Sequence, residues 1–97
     1  MTSHEIKLGA SADLIERTTW AWPVHGLRHP PEGDTSGWYL WTGELRSEPD
    51  FFRPWHHDHA IDRCPGLAPL LEHPPGTRFI YAPDYLDVWQ DDSLLDV

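Results

Sequence analysis

The sequence predicts an α+β fold, a small mainly antiparallel sheet of about four to five short strands with one or two short helices. Three observations carry this. β-branched and aromatic residues gather in short runs at 18–22, 38–42 and 77–82, the composition of strands. Ten prolines and seven glycines cut the chain into pieces too short for long helices. The 97 residues suffice for one domain, which buries about 60–65% of the surface its unfolded chain exposes.

Residues 1–17 carry the weakest pattern and are left as a poorly defined N-terminal segment. Ile6 and Leu8 alternate with polar neighbours as in an edge strand, and Ser11 is a candidate N-cap for a short helix. Residues 18–90 are the expected core. Its first strand is 18–22 (Thr-Thr-Trp-Ala-Trp), ended by Pro23, with Trp20 and Trp22 on one face. Residues 24–37 read as loop, because Pro30-Pro31, Gly33-Asp34 and Ser36-Gly37 favour turns. Residues 38–42 (Trp-Tyr-Leu-Trp-Thr) form the next strand. Aromatics on both of its faces suggest a central position, covered on two sides.

Residues 51–55 are extended, with Pro54 keeping them at a sheet edge. Asp58 is placed to cap a short helix over 59–64, stopped by Pro65-Gly66. A second helical turn covers 67–72. Residues 77–82 form a clear strand, 85–90 a last one, and 91–97 an acidic, loosely held tail.

Seven Lys+Arg stand against 16 Asp+Glu, a net charge of −9 with neutral histidines. That balance argues against nucleic acid, whose binders need a basic surface, and against anionic membranes. It favours a basic protein partner. No apolar stretch has the length of a membrane span, and the first residues lack a secretory pattern. The single Cys64 has no disulfide partner within the chain. A cytoplasmic location is therefore expected.

One ordered set of motifs resembles a known family. Ser36-Gly37-Trp38-Tyr39 opens a strand that ends at Gly43-Glu44, followed by an acidic turn. An aromatic strand near Trp55 follows, then Cys64-Pro65, Leu67-Ala-Pro-Leu-Leu71 and Pro75-Gly76-Thr77-Arg78-Phe79. This order is similar to that of the bacterial immunity protein 33-like family over residues 18–80, with Thr19-Trp20-Ala21-Trp22 matching its preceding strand. Arg46 in a short acidic turn and the histidines at 56–59 depart from the family pattern. The resemblance implies an α+β fold, no enzymatic activity and, for some members, neutralisation of a toxin.

The segment His56-His57-Asp58-His59 is the one metal candidate, suited by ligand type to zinc or nickel. Read as a strand it places His57 and His59 on one face, with a third ligand needed from His25, His29 or His73. Without the spacing of known metal motifs, the simpler reading is a solvent-facing loop entering a helix and no cofactor. Cys64 at a helix C-terminus lacks the activation a nucleophile needs. The acids at 84, 87, 91 and 92 have no scaffold that would oppose them across a substrate. No catalytic residue is expected.

The expected function is therefore a non-enzymatic protein-binding module that occludes a basic toxin. Trp41 and Trp89 are its aromatic anchors, and Glu44, Glu48, Asp50, Asp87, Asp91 and Asp92 form its acidic rim. The alternatives are a metal-binding protein using His56, His57 and His59, and a self-associating structural protein. The expected state is a monomer or weak homodimer.

Overall fold

The computed structural model describes residues 7–16, 21–33, 35–43 and 51–95. Among the described residues six strands form one sheet: β1 (Lys7–Ser11), β2 (Val24–Arg28), β3 (Thr35–Thr42), β4 (Phe52–His56), β5 (Thr77–Ala82) and β6 (Tyr85–Gln90). Their order is β4-β1-β3-β2-β5-β6. Short helices among the described residues accompany them, α1 (Ala12–Glu16), α2 (His57–Arg63) and α3 (Leu67–Leu70), with a 3-10 turn at Asp92–Leu95. The fold is α+β as expected, but the sheet is larger and mixed. β1 runs parallel to β3, whereas every other neighbouring pair is antiparallel.

Two segments account for the difference. Residues 7–16 form β1 and α1, and β1 lies inside the sheet between β4 and β3. Its sequence, Lys-Leu-Gly-Ala-Ser, carries few strand-forming residues. Leu8 and Ala10 are nevertheless fully buried on one face, so packing overrides propensity. The expected strand at 18–22 falls partly outside the described residues, and Ala21 and Trp22 are not in a strand. The strand begins after Pro23 instead, at 24–28, where a loop was expected. Val-His-Gly-Leu-Arg shows only a weak alternation, and its centre is a glycine.

That glycine is required. Gly26 lies opposite Phe79 on one side and Leu40 on the other. A Cβ at Gly26 would run into the Phe79 ring and sit 3.0 Å from Leu40 Cδ2. Gly37 serves differently: its φ of 91° is a region open mainly to glycine, and its carbonyl accepts from the His29 amide at 2.9 Å.

β3 is central, as its aromatics on both faces indicated. Trp38 and Leu40 face the helices and are fully buried, and Trp38 packs at 5.5 Å on Phe79. The Trp38 indole donates to the Leu71 carbonyl at 2.9 Å. Arg28 closes the box, its guanidinium 5.9 Å from the indole centre while it donates to the Ser36 and His73 carbonyls. Leu8, Leu14, Val24, Ala60, Leu67 and Leu70 also belong to this core.

Two terminal assignments also change. α2 starts at His57, with His56 at the N-cap position and no side-chain cap, so Asp58 lies inside the first turn. There its charge suits the helix dipole. The acidic tail is partly anchored: Leu94 is buried, and its carbonyl lies 3.0 Å from His29 Nδ1. Residues 96 and 97 lie outside the described residues.

Replacing Gly26 by Ala is expected to destabilise the fold by about 1–3 kcal/mol, the cost of overpacking a filled core. Urea unfolding measures this, and an unchanged midpoint would contradict the packing described for Gly26.

Candidate functional site

The helices cover one face of the sheet, and the other face presents a cross-strand pattern. Strand register aligns Trp41 with His25, His25 with Ile80, and Ile80 with Asp87. A second row runs Tyr39, Leu27, Arg78 and Trp89. Cross-strand partners share a face, so Trp41, Asp87 and Trp89, widely separated in sequence, lie on one surface. Trp41 and Asp87 are three strand spacings apart, about 14 Å.

Exposure changes along these rows. At the β3 end the face is filled by aromatics. Trp41 is only 5% exposed, stacks on His25 at 5.3 Å and meets Phe52 edge-on at 6.1 Å. Phe52 also packs against Tyr39 at 5.0 Å. Trp41 therefore supports the face rather than standing out as an anchor, in contrast to the sequence expectation. At the β6 end the side chains are open: Trp89 is 39% exposed and Asp87 is exposed. Glu44, Glu48 and Asp50 lie outside the described residues.

β6 adds two residues that the sequence reading did not single out. Tyr85 and Leu86 are each 54% exposed. Tyr85 shares the Asp87 and Trp89 face, whereas Leu86 points to the helix side opposite Tyr81. The signal for Tyr85 was the alternation Tyr85-x-Asp87-x-Trp89, which places two rings and a carboxylate along one strand face. Asp84 and Asp92 are exposed at the two ends of the strand.

The remaining acids are more constrained. Asp91 accepts from Arg78 at 3.1 Å and from the Ser93 hydroxyl at 2.6 Å. The Ser93 hydroxyl first, and Arg78 next, hold the Asp91 carboxyl below its ordinary pKa. Asp92 accepts from Gln90 Nε2 at 3.2 Å. Arg78, the cation beside Trp89, is thus engaged by Asp91, while Asp84, Asp87 and Asp92 keep the strand's surroundings negative.

The histidines do not converge. His56 stacks on His59 at 5.3 Å, one helical turn away. His57 turns the other way, and its Nε2 lies 2.7 Å from the Ser36 hydroxyl. The segment enters a helix at His57, so the strand alternation used to group these side chains does not apply. Among the described residues no group of three His, Cys, Asp or Glu is placed to hold a metal ion.

Ser36 and His57 form one hydrogen-bonded pair. Ser36 is 6% exposed, and its hydroxyl also accepts from the Trp38 amide at 3.4 Å. Cys64 is half-buried at the C-terminal end of α2, and burial pushes its thiol pKa up. A thiol shifted in that direction is a poor nucleophile. No helix among the described residues is long and apolar enough to cross a membrane.

Burial first, and Arg28 second, lower the His57 pKa, with Asp58 opposing. Burial and then Arg78 lower that of His25. Below the ordinary histidine value of about 6.5 the unfolded chain therefore binds more protons than the folded one. This part of the stability is complete above that pH and is lost as pH falls through the depressed folded values. Urea midpoints are expected to be lower near pH 5.5 than near pH 7.5. The His57→Gln variant, which keeps a polar partner for Ser36, is expected to reduce that difference. A His57 imidazole titrating above the ordinary value in an NMR titration would contradict the assignment.

Comparison with known proteins adds one positive finding. Searches of curated proteins and of solved structures return no significant match. The model of the Imm33-like domain matches residues 2–91. The match extends beyond the 18–80 segment that carries the motif resemblance, and it takes in the β1–α1 segment as well as β6. The chain belongs to the Imm33-like family.

Proposed function

We propose that this protein is a non-enzymatic binding module that neutralises a cognate toxin by covering a basic surface of it. The observation that carries this reading is β6, with Tyr85, Asp87 and Trp89 open along one face. Family membership supports an immunity-like role. Exposed aromatics supply contact area at small entropic cost. The surrounding carboxylates steer a cationic partner and set its orientation.

The net charge of −9 acts in the same sense over longer range, speeding encounter with a positive surface at low ionic strength. The encounter is placed in the cytoplasm, in keeping with the lone Cys64. The non-enzymatic part of the reading is supported by the burial of the Ser36 hydroxyl beneath its His57 and Trp38 partners and by the raised pKa of Cys64. Inhibition would be steric, through occlusion of the toxin's working surface.

Capture with the tagged chain from its native host is expected to yield a stoichiometric basic protein that high salt releases. Expression of that protein alone should arrest growth, and co-expression with this chain should restore it. Asp87→Lys and Trp89→Ala are each expected to weaken the complex by about tenfold or more, with unfolding midpoints unchanged. A captured toxin that binds both variants as tightly as the parent would refute the assignment of this face.

A further inference from the structure

The two edges of the sheet are protected unequally. β4 carries Pro54 and an exposed Arg53, which is tied to Glu16 at 3.0 Å. Proline removes a donor, and an edge charge discourages a further strand. β6 has neither proline nor lysine. Its six residues pair with β5 in an unbroken register, from Tyr85 opposite Ala82 to Gln90 opposite Thr77.

Among the described residues nothing pairs with the outer side of β6. Alternate amides and carbonyls therefore point away from the sheet along about 20 Å of strand. Both faces of this edge carry exposed apolar side chains. Tyr85 and Trp89 stand on one face, and Leu86 stands on the other opposite Tyr81, against which Trp22 packs edge-on at 5.8 Å.

Charge decides between occupants. A second copy would bring another chain of net charge −9 to an edge where Asp84, Asp87 and Asp92 are exposed. Like charges held side by side across paired strands oppose that pairing. A strand carrying lysine or arginine would instead place cations beside those carboxylates, while its backbone filled the open hydrogen bonds.

We propose that the outer edge of β6 is a strand-addition site, which takes an extended lysine- or arginine-bearing segment of a partner protein as a seventh strand. The proposal rests on the protein-binding reading above and specifies how the partner is held. Main-chain bonds supply register and affinity, Asp84, Asp87 and Asp92 select cationic side chains, and Tyr85, Leu86 and Trp89 cover the partner's alternate residues.

The test uses the full chain, NMR amide exchange and four blocked peptides of about eight residues. One alternates lysine with valine, two have the same sequence methylated at alternate amides, one in each frame, and one alternates glutamate with valine. The lysine peptide is expected to bind and to slow exchange at alternate β6 amides. Methylation in the pairing frame should weaken binding by about tenfold or more, and the glutamate peptide should not bind.

Asp87→Lys, which leaves the backbone edge intact, should lose preference for the lysine peptide. Equal binding of both methylated frames, protection located elsewhere, or no binding of the lysine peptide would each overturn the proposal. So would a mass that rises with concentration and slowed β6 exchange without peptide, because the occupant would then be a second copy. A captured toxin that leaves β6 exchange unchanged would overturn strand addition while the protein-binding reading stands. Peptide pairing without any captured toxin would support the edge and count against the toxin.

Discussion

The buried Trp38 indole is the constraint on which the rest of the molecule depends. It is fully buried, and its N–H donates to the Leu71 carbonyl at 2.9 Å. A buried indole donor without a partner is costly, so the segment after α3 has to lie directly over β3. Phe79 packs against the same ring at 5.5 Å, which brings β5 close on the helix side. Gly26 makes that approach geometrically possible, because β2 lies between the two strands and its backbone offers the Phe79 ring no side chain.

From this anchor the sheet develops asymmetrically. β1 and β4 lie to one side of β3, where Leu8, Ala10 and Trp55 extend the core beneath the helices. β2, β5 and β6 lie to the other side. Burial declines toward β6, whose residues are mostly exposed on both faces. The second face follows the same gradient, from Trp41 stacked on His25 to the open Trp89. The open side chains therefore belong to the strand farthest from the anchor, held in place by a paired neighbour. Such a surface is both positioned and accessible, as recognition on a rigid scaffold requires.

The charge distribution suits this arrangement. Arg28 is engaged by the Ser36 and His73 carbonyls, Arg53 by Glu16, and Arg78 by Asp91. These cations serve the fold or are matched locally. Asp84, Asp87 and Asp92 remain exposed around β6. Three exposed carboxylates thus surround the strand with open aromatics. The histidines contribute little to that surface: His57 faces Ser36, and His25 lies under Trp41.

The sequence by itself determined the fold class, the central position of β3, the edge position of β4, the two C-terminal strands and the family resemblance. Each rests on local chemistry: aromatics at two-residue spacing in 38–42, Pro54 in an extended run, and turn formers around 77–90. It also identified Asp87 and Trp89 as candidates, because an acidic and aromatic strand stands out in composition. Tertiary structure alone decided that β1 enters the sheet parallel to β3, that residues 24–28 form a strand around Gly26, and that α2 begins at His57. It also buried Trp41 and opened Tyr85 and Leu86. The physical reason is that parallel pairing and burial are set by partners distant in the chain. Lys-Leu-Gly-Ala-Ser and Val-His-Gly-Leu-Arg become strands because neighbours cover them. A side chain's accessibility likewise depends on how far its strand lies from the core, which local residue order does not encode.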